Sequence, residues 1–259
     1  MRTKKIMLGS MEFSLLSSLE HDKLSVFSFS DAYKRASTTR QVVRKVLSRL
    51  VKKGRIKRIK KGYYLLIPLR FKEWGEHEFS LVPFLAKEYY ISFWSALSFW
   101  SLTEQMPRQV YVAVKFHVKD RPFEEVNYKF VKLSKRYFFG FVETEIQGRK
   151  INIASKEKAI LDGLLHPEYC GGLGEIAKAI RDYHKDIDWK KMKDYLKKMD
   201  NSAVERRLYY VLKFLKIKNV LGNKIFLGVR LLDPNKSKNG RYDYSFGLQI
   251  NTNLEEEML

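Results

Sequence analysis

The sequence STTRQVVRKVLSRLVKKGRIKRIKKGYYLLI, residues 37–67, decides the fold of the first part of the chain. Its apolar residues recur at helical spacing, so a helix is predicted over residues 40–53. This apolar face consists of Val43, Val46, Leu47 and Leu50. The hydroxyl residues at 37–39 supply a turn and an N-cap, and Gly54 ends the helix where a left-handed backbone suits glycine.

A hairpin is predicted directly after this helix. The residues alternate from Arg55 to Ile59, a tight turn follows at residues 60–62, and the chain returns from Tyr63 to Ile67. Alternation on both sides of a short glycine-containing turn is typical of a β-hairpin. The turn reads Lys-Lys-Gly, so the hairpin has a basic tip.

Two shorter helices are predicted upstream of the basic helix. The first covers residues 10–20, with Phe13, Leu16 and Leu19 on its apolar side. Residues 26–29 look extended, and Ser30 stands where an N-cap for a second helix at residues 32–35 belongs. Helix, helix, basic helix and basic hairpin, in this order, predict a winged helix-turn-helix.

Positive charge is concentrated in this region. The 259-residue chain has a formal net charge of +21, and residues 1–70 hold 18 Lys or Arg against 4 acidic residues. No acidic residue occurs from Ala32 to Lys72. Charge of one sign favours a polyanionic partner, and DNA fits because each neutralised phosphate releases condensed counterions. An anionic membrane surface fits less well, because the apolar face of an interfacial helix is missing.

The predicted contacts to double-stranded DNA lie on the basic helix, its N-terminal turn and the hairpin. The helix is expected to enter the major groove, where Arg and Gln can read base edges, while the wing touches the backbone or the minor groove. The predicted set is Thr38, Thr39, Arg40, Gln41, Arg44, Lys45, Ser48, Arg49, Lys52, Arg55, Lys57, Arg58, Lys60 and Lys61. A small helical domain with a lysine-rich surface is the competing interpretation, and the lack of interleaved acids argues against it.

The rest of the chain is predicted to form a second, larger domain at residues 71–259, after a winged-helix domain at residues 1–70. Its 32 basic and 25 acidic residues leave a net charge of only +7. Helices are predicted near 92–100, 155–166, 173–184, 189–198 and 203–215, and strands near 109–115, 126–133, 137–145 and 151–153. The fold class is α+β, a winged helix-turn-helix followed by a mixed α/β domain.

Three patches in this larger part resemble the AbiEi family of antitoxins. They are YISFWSALSFWSLTEQMP at residues 90–107, IASKEKAILD at residues 153–162, and LDP at 232–234 with GRYD at 240–243 and Asn251. The resemblance covers residues 85 to 251, with the winged helix ahead of it in the order the family shows. It implies that the winged helix binds repeats in its own promoter. It also implies that the larger domain supports repression and counteracts a nucleotidyltransferase-like toxin, without requiring a tight complex.

Catalytic and metal-binding patterns do not stand out. The single Cys170 excludes an internal disulfide and a multi-thiolate zinc site, and the five histidines lack ligand spacing. Glu143, Glu145 and Lys150 match part of the acid–acid–lysine set of some nucleases, but we interpret them as a surface pair. Asp162 and His166, four residues apart on one predicted helix, are interpreted as a helix-end ion pair. We therefore expect no enzyme activity, no metal and no cofactor.

Three functions stay open at this point. The first is a transcriptional autorepressor that acts as an antitoxin, and the second is a stand-alone, effector-responsive winged-helix regulator. The third is a structure-specific nuclease. No apolar run has the length of a membrane span, and the N-terminus lacks the apolar stretch of a signal peptide. A cytoplasmic protein without a membrane partner is expected, and promoter repeats suit a monomer as well as a homodimer.

Overall fold

The computed structural model describes residues 7–68, 77–218 and 220–259 of the chain. It divides into two compact units, Met1–His77 and Glu78–Leu259. The boundary predicted after residue 70 falls within residues 69–76, outside the described residues. The fold is α+β, as the sequence predicts.

The first unit is a winged helix-turn-helix. Its elements are α1 (Ser10–His21), β1 (Val26–Ser28), α2 (Phe29–Ala36), α3 (Arg40–Lys52), β2 (Ile56–Lys60) and β3 (Tyr63–Leu66). The strands form one antiparallel sheet in the order β1-β3-β2. The predicted succession of helix, helix, basic helix and hairpin is confirmed.

The core of the first unit lies beneath the apolar face of α3. All four residues predicted for that face are buried, and they share one cluster with α1 and β2. The contributions from these two elements are Leu15, Leu16, Leu19 and Ile56. The prediction for Phe13 is wrong, because this side chain is 54% exposed and Glu12 is buried instead. The inner face of α1 runs through residues 12, 15, 16 and 19, which is the spacing of one helical stripe.

The start of α2 also differs from the prediction. Its N-cap is Ser28, not Ser30, and the helix begins at Phe29. The Ser28 hydroxyl accepts a hydrogen bond from the Asp31 amide at 3.1 Å, and the Asp31 carboxylate accepts one from the Ser28 amide at 2.8 Å. This reciprocal pair is a capping box, which satisfies two amides that the first helical turn leaves without partners.

The hairpin is short and its tip is fixed. Lys61 and Gly62 form the turn between β2 and β3, and Gly62 has a φ of +79°, which favours glycine. The Gly62 carbonyl accepts a hydrogen bond from the Phe29 amide at 2.7 Å. The wing therefore ends beside the start of α2.

The second unit combines a six-stranded mixed sheet, a small three-stranded sheet and helices. Its elements are α4 (Val82–Leu85), β4 (Tyr89–Ile91), α5 (Phe93–Phe99), β5 (Gln109–Val114), β6 (Arg121–Phe123), β7 (Val126–Lys132), β8 (Phe141–Ile146), β9 (Arg149–Ala154), α6 (Lys156–Leu165), α7 (Leu173–Tyr183), α8 (Trp189–Met199), α9 (Ser202–Phe214), β10 (Arg230–Leu231), β11 (Arg241–Asp243), β12 (Leu248–Ile250) and α10 (Leu254–Glu257). The strand orders are β6-β7-β5-β4-β9-β8 and β10-β12-β11.

Most predicted elements of this unit are present with ends shifted by one or two residues. Ser155 caps α6 as predicted, since its hydroxyl accepts a hydrogen bond from the Lys158 amide. The strand predicted from residue 137 is wrong at its start, because Lys135–Tyr137 is a 3-10 turn and β8 begins at Phe141. Gly140, with a φ of +78°, permits the break before β8 at low steric cost. Within the described parts of the chain, no helix has both the length and the apolar character that crossing a bilayer requires.

Candidate nucleic-acid interface

Most of the predicted contact residues are accessible on α3 and the hairpin. The exposed members are Thr39, Arg40, Gln41, Arg44, Lys45, Ser48, Arg49, Lys52, Arg58 and Lys61. The half-buried members are Thr38, Arg55, Lys57 and Lys60. The exposed surface is thus dominated by α3, and the hairpin adds Arg58 and Lys61 to it.

The outer side of α3 is divided into a centre and two flanks. Successive residues advance by about 100° around a helix, so Gln41, Lys45, Ser48 and Lys52 lie opposite the buried face. Arg40 and Arg44 lie on the flank that meets α2. Arg49 lies on the other flank, towards Glu12 of α1.

Aromatic rings of α2 support the first flank. The Arg40 guanidinium lies 5.4 Å from the centre of the Tyr33 ring, and that of Arg44 lies 5.8 Å from the Phe29 ring. The two rings are stacked, with their centroids 6.4 Å apart. Each cation–π contact at an exposed site contributes about 0.5–1 kcal/mol, which restricts the guanidinium without covering it.

A groove of about 560 Å³ separates α3 from the hairpin. Its basic lining consists of Arg44, Lys52, Arg58 and Lys61, and the rest of its lining is Phe29, Ser48, Val51, Gly62 and Tyr64. No carboxylate lines this groove in the described part of the chain. Four cations around a partly apolar floor form a site that attracts phosphate groups.

Three acidic residues of the first unit, Glu12, Asp22 and Asp31, are engaged by partners outside the predicted contact set. Asp22 pairs with Arg35 at 2.8 Å, and Glu12 pairs with Lys53. Burial raises the pKa of Glu12, but hydrogen bonds and charges, with Lys53 foremost, hold the pKa below its ordinary 4.5. Asp31 is used in the capping box of α2. None of these three carboxylates lines the groove between α3 and the hairpin, so they leave its four positive charges uncompensated.

The N-terminal turn of α3 is already used for capping. The Thr39 hydroxyl accepts a hydrogen bond from the Val42 amide at 3.5 Å, while Thr38 is half-buried. On the hairpin, the ammonium of Lys60 lies 4.7 Å from the centre of the Tyr63 ring. The structure thus brings the exposed basic residues of α3 together with Arg58 and Lys61, whereas Thr38, Arg55, Lys57 and Lys60 are partly covered.

The acid–acid–lysine set of the second unit, Glu143, Glu145 and Lys150, lies on an exposed hairpin. Lys150 pairs with Glu143 at 2.7 Å on the hairpin of β8 and β9, where both side chains are more than half exposed. Glu145 lies opposite Lys150 in the strand register. Across the described residues, no group of three or more His, Cys, Asp or Glu side chains is placed to hold a metal ion.

The interpretation of Asp162 as a helix-end partner of His166 is wrong. Asp162 is fully buried and pairs with Lys158, one turn earlier on α6, whereas His166 contacts Glu168 at 3.2 Å. The Asp162 carboxylate also accepts hydrogen bonds from the Ser92 hydroxyl at 2.7 Å and the Tyr90 hydroxyl at 3.0 Å. The i, i+4 spacing of the Lys and Asp was the available sequence signal.

This cluster joins two of the sequence patches that carry the family resemblance. Tyr90 and Ser92 belong to the first patch, and Lys158 and Asp162 to the second. Desolvation lowers the pKa of Lys158 and raises the pKa of Tyr90. Since both members of the ion pair are completely buried, these residues hold β4 and α5 against α6 rather than face a ligand.

Comparisons with known proteins agree with this architecture. Residues 14–67 match the family model described as "Transcriptional regulator, AbiEi antitoxin", so the predicted resemblance is confirmed for this segment. The three patches at residues 90–251 lie outside the matched segment.

A solved structure shares the fold. The RV2827C protein from Mycobacterium tuberculosis superposes with a TM-score of 0.71 at 12% sequence identity. The superposition covers 94% of this chain and 92% of that chain. At this identity the likeness shows a common fold. No curated protein matches the chain in a sequence search.

Proposed function

We propose that this chain is a DNA-binding transcriptional regulator that represses its own promoter and acts as the antitoxin of a nucleotidyltransferase-like toxin. The observation that carries DNA binding is the exposed basic surface of α3 and the hairpin, whose groove is lined by four cations and no acid. The family description of residues 14–67 supports the roles of regulator and antitoxin.

In the proposed complex α3 lies in the major groove. Its 13 residues give a rod about 20 Å long, and a groove about 12 Å wide admits such a helix. Gln41, Lys45 and Ser48 then face the base edges, because they lie at the centre of the exposed side. Arg58 and Lys61 reach the neighbouring phosphates from the wing.

The geometry predicts that the two flanks of α3 contribute unequally. Arg44 belongs to the groove, whereas Arg49 lies near Glu12, where part of its field is compensated. We therefore expect both Arg44→Ala and Arg49→Ala to weaken DNA binding, with the larger loss for Arg44→Ala. Loss of a charge-assisted hydrogen bond to a phosphate corresponds to about 1.5–3 kcal/mol, or roughly 10- to 150-fold in affinity.

Fluorescence anisotropy with a labelled duplex from the upstream promoter tests this surface. Lys190→Ala is the matched control, because it removes one positive charge from an exposed position on α8 in the other unit. For each phosphate that a substitution leaves without its basic partner, the slope of log affinity against log salt should become shallower by about 0.9. If Arg44→Ala, Lys52→Ala and Lys61→Ala all bind as Lys190→Ala does, the interface is assigned to the wrong surface.

Repression and toxin control require separate cellular assays. A reporter driven by the upstream promoter should be repressed by the chain and released by Arg44→Ala. In cells whose growth is inhibited by a nucleotidyltransferase-like toxin encoded beside this chain, co-expression of the chain should restore growth. Arg44→Ala should retain this rescue, since the resemblance places toxin control in the larger domain. A chain that represses the reporter but never restores growth would be a regulator without the antitoxin role.

A further inference from the structure

The small three-stranded sheet turns one row of side chains to solvent. In the strand register, Gln249 of β12 lies between Tyr242 of β11 and Leu231 of β10. Side chains alternate between the two faces of a sheet, and Leu248, the neighbour of Gln249, is fully buried. The row through Gln249 therefore faces outwards. Tyr244 extends this row, because its ring stacks on that of Tyr242 with the centroids 6.1 Å apart.

An aliphatic segment before β10 is exposed on the same side, away from α9. Phe226 in this segment is turned inwards, since its ring packs edge-on against Tyr209 of α9 with the centroids 5.4 Å apart. Ile225 and Leu227, on either side of Phe226, are 89% and 86% exposed. These two aliphatic side chains therefore point away from α9.

The aliphatic segment lies beside the turn that carries Tyr244. Arg206 of α9 donates to the Gly228 carbonyl at 2.6 Å and to the Gly247 carbonyl at 2.7 Å. Gly228 belongs to the segment and Gly247 ends the turn, so one guanidinium binds both. Val229 comes two residues before the β10 member of the outward row and shares its direction. The apolar surface thus consists of Ile225, Leu227, Val229, Tyr242 and Tyr244.

The charged side chains of the sheet strands lie on its other side. Arg230 and Asp243 are both partners of the buried Leu248 in the strand register, so they lie on the side of α9. Arg241 precedes Asp243 by two residues and shares its face. On the outward row, the Gln249 amide donates to a main-chain carbonyl at 2.8 Å. Covering the apolar surface would therefore desolvate none of these three charges, and depletion of charge is typical of the core of a protein interface.

We propose that the apolar surface is the interface of a homodimer, in which the same surface of a second copy of the chain covers it. Its residues are between 38% and 89% exposed. Together they expose roughly 700 Å², since a large side chain offers on the order of 150–250 Å² when it is fully exposed. A standard interface buries about 800 Å² on each partner, so this surface supplies most of the area that a specific dimer needs.

The two halves of the apolar surface complement each other. One half is aliphatic and comes from the segment before β10, and the other is aromatic and comes from β11 and its turn. A two-fold axis through the surface places each half against the other half of the partner, so the same contact forms twice. The tyrosine hydroxyls can stay hydrated at the rim while their rings pack. Lys224, beside the aliphatic half, pairs with Glu205 at 2.6 Å, so its charge is compensated within its own chain.

Sedimentation velocity on the full chain at about 1 to 100 µM tests the proposal. We expect a monomer–dimer equilibrium with its midpoint in this range. The midpoint should fall as salt is raised, because salt screens the repulsion between two chains of net charge +21. Leu227→Glu should raise the midpoint at least about 10-fold, because dimerisation would bury an unpaired carboxylate. Met106→Glu is the matched control, since Met106 is 89% exposed and lies between α5 and β5, outside the apolar surface.

A charge-pairing experiment tests the two-fold arrangement. Leu227→Glu and Tyr244→Lys should each be monomeric alone, whereas their equimolar mixture should form a heterodimer. In that heterodimer the new carboxylate meets the new ammonium once, and the second contact between the two halves is unchanged. Both side chains are at least 80% exposed, so neither substitution disturbs the core of the monomer.

The outcomes separate the dimer from the proposed DNA contacts. Arg44→Ala should dimerise as the unchanged chain does, because this inference does not rest on DNA binding. A chain that stays monomeric at every concentration, or a dimer that both charged variants leave unchanged, would overturn the proposal. A mixture of the two variants that stays monomeric would overturn the pairing of the aliphatic half with the aromatic half.

Discussion

Replacing Asp162 by asparagine removes the negative charge that faces the buried ammonium of Lys158, while the size of the side chain is kept. Both side chains are 0% exposed. The Tyr90 hydroxyl, 3.0 Å from the ammonium, is the other polar side chain bound to it. The asparagine amide group cannot replace the carboxylate, because it presents no negative charge to the cation.

The expected loss follows from this burial. Removing one partner of a buried ion pair costs about 3–5 kcal/mol, because the remaining charge stays without compensation. At about 2–4 °C per kcal/mol, the melting temperature of this unit should fall by roughly 6–20 °C. Lys158→Met should cost less, since Asp162 would keep the hydrogen bonds from Tyr90 and Ser92.

The loss should also depend on pH. Burial lowers the pKa of Lys158 below its ordinary 10.5, and the charge of Asp162 opposes this shift. Without that charge the folded-state pKa falls further. The unfolded chain then binds more protons than the folded chain, so the stability of Asp162→Asn rises with pH as the buried ammonium loses its proton. Its deficit should be largest near neutral pH and shrink towards the ordinary lysine pKa.

Urea unfolding followed by tryptophan emission measures these changes. Three of the four tryptophans, Trp94, Trp100 and Trp189, lie in the second unit, so the emission reports mainly on its unfolding. Lys158→Met/Asp162→Asn completes a double-mutant cycle with the two single variants and should recover part of the loss. A cost below about 1 kcal/mol for Asp162→Asn, unchanged between neutral and alkaline pH, would refute the view of a buried, charged pair.

Three further predictions concern single positions. Ser28→Ala should cost about 1 kcal/mol in thermal unfolding. It should also raise the pKa of Asp31, which hydrogen bonds from Ser28 hold below the ordinary 3.8, and an NMR titration would show this rise. The stability that the ionised Asp31 contributes is present above pH 3.8 and is lost as the pH falls through the pKa of Asp31 in the folded chain. Gly240→Ala should cost about 2–5 kcal/mol in the same thermal melts, because the new Cβ would lie 1.9 Å from the Ile250 carbonyl oxygen at a φ of +132°. Gly148→Ala is the control: its Cβ would meet open space at a φ of +76°, so it should cost about 1–2 kcal/mol. Cys170 is fully buried and its thiol pKa is raised by burial, so a thiol reagent should modify it only after unfolding, and rapid reaction with the folded chain would contradict this.

Local patterns explain why the winged helix could be predicted. The apolar period of α3, the glycine after it and the two-residue turn of the hairpin each act within a few residues. The cap of α6 by Ser155 belongs to the same class. Such patterns act in any tertiary context in which the helix or hairpin forms. They therefore sufficed to predict on which helix and hairpin positions the basic residues lie.

The errors have equally local causes. Residues 28 and 30 are both serines, and the distinction lies in the Asp three residues after Ser28, which completes a capping box. The apolar character of Phe13 predicts a core position, but residue 12, not residue 13, shares the helical stripe of the leucines. Glu12 is tolerated there because Lys53 and the Gly9 amide bind its carboxylate.

Other features depend on contacts that a single sequence does not contain. Tyr90 and Ser92 meet Asp162 across about 70 residues of chain, and no local pattern predicts that meeting. The unequal flanks of α3 likewise depend on how α1 and α2 pack, since Glu12 lies near Arg49 and Phe29 lies near Arg44. The candidate contacts were therefore predictable as a set of residues, but their arrangement in space was not.

Arg206 fastens the small sheet through main-chain oxygens. Its guanidinium donates to the carbonyls of Gly228 at 2.6 Å and Gly247 at 2.7 Å, and also to that of Leu227. Because every amino acid carries the same carbonyl, this attachment is indifferent to the side chains that the sheet displays. Evolution can exchange the outward residues freely, whereas Gly247 is constrained, since a Cβ there would lie 2.3 Å from the guanidinium. The attachment of the small sheet to Arg206 can therefore persist while the residues on the outer face of that sheet change.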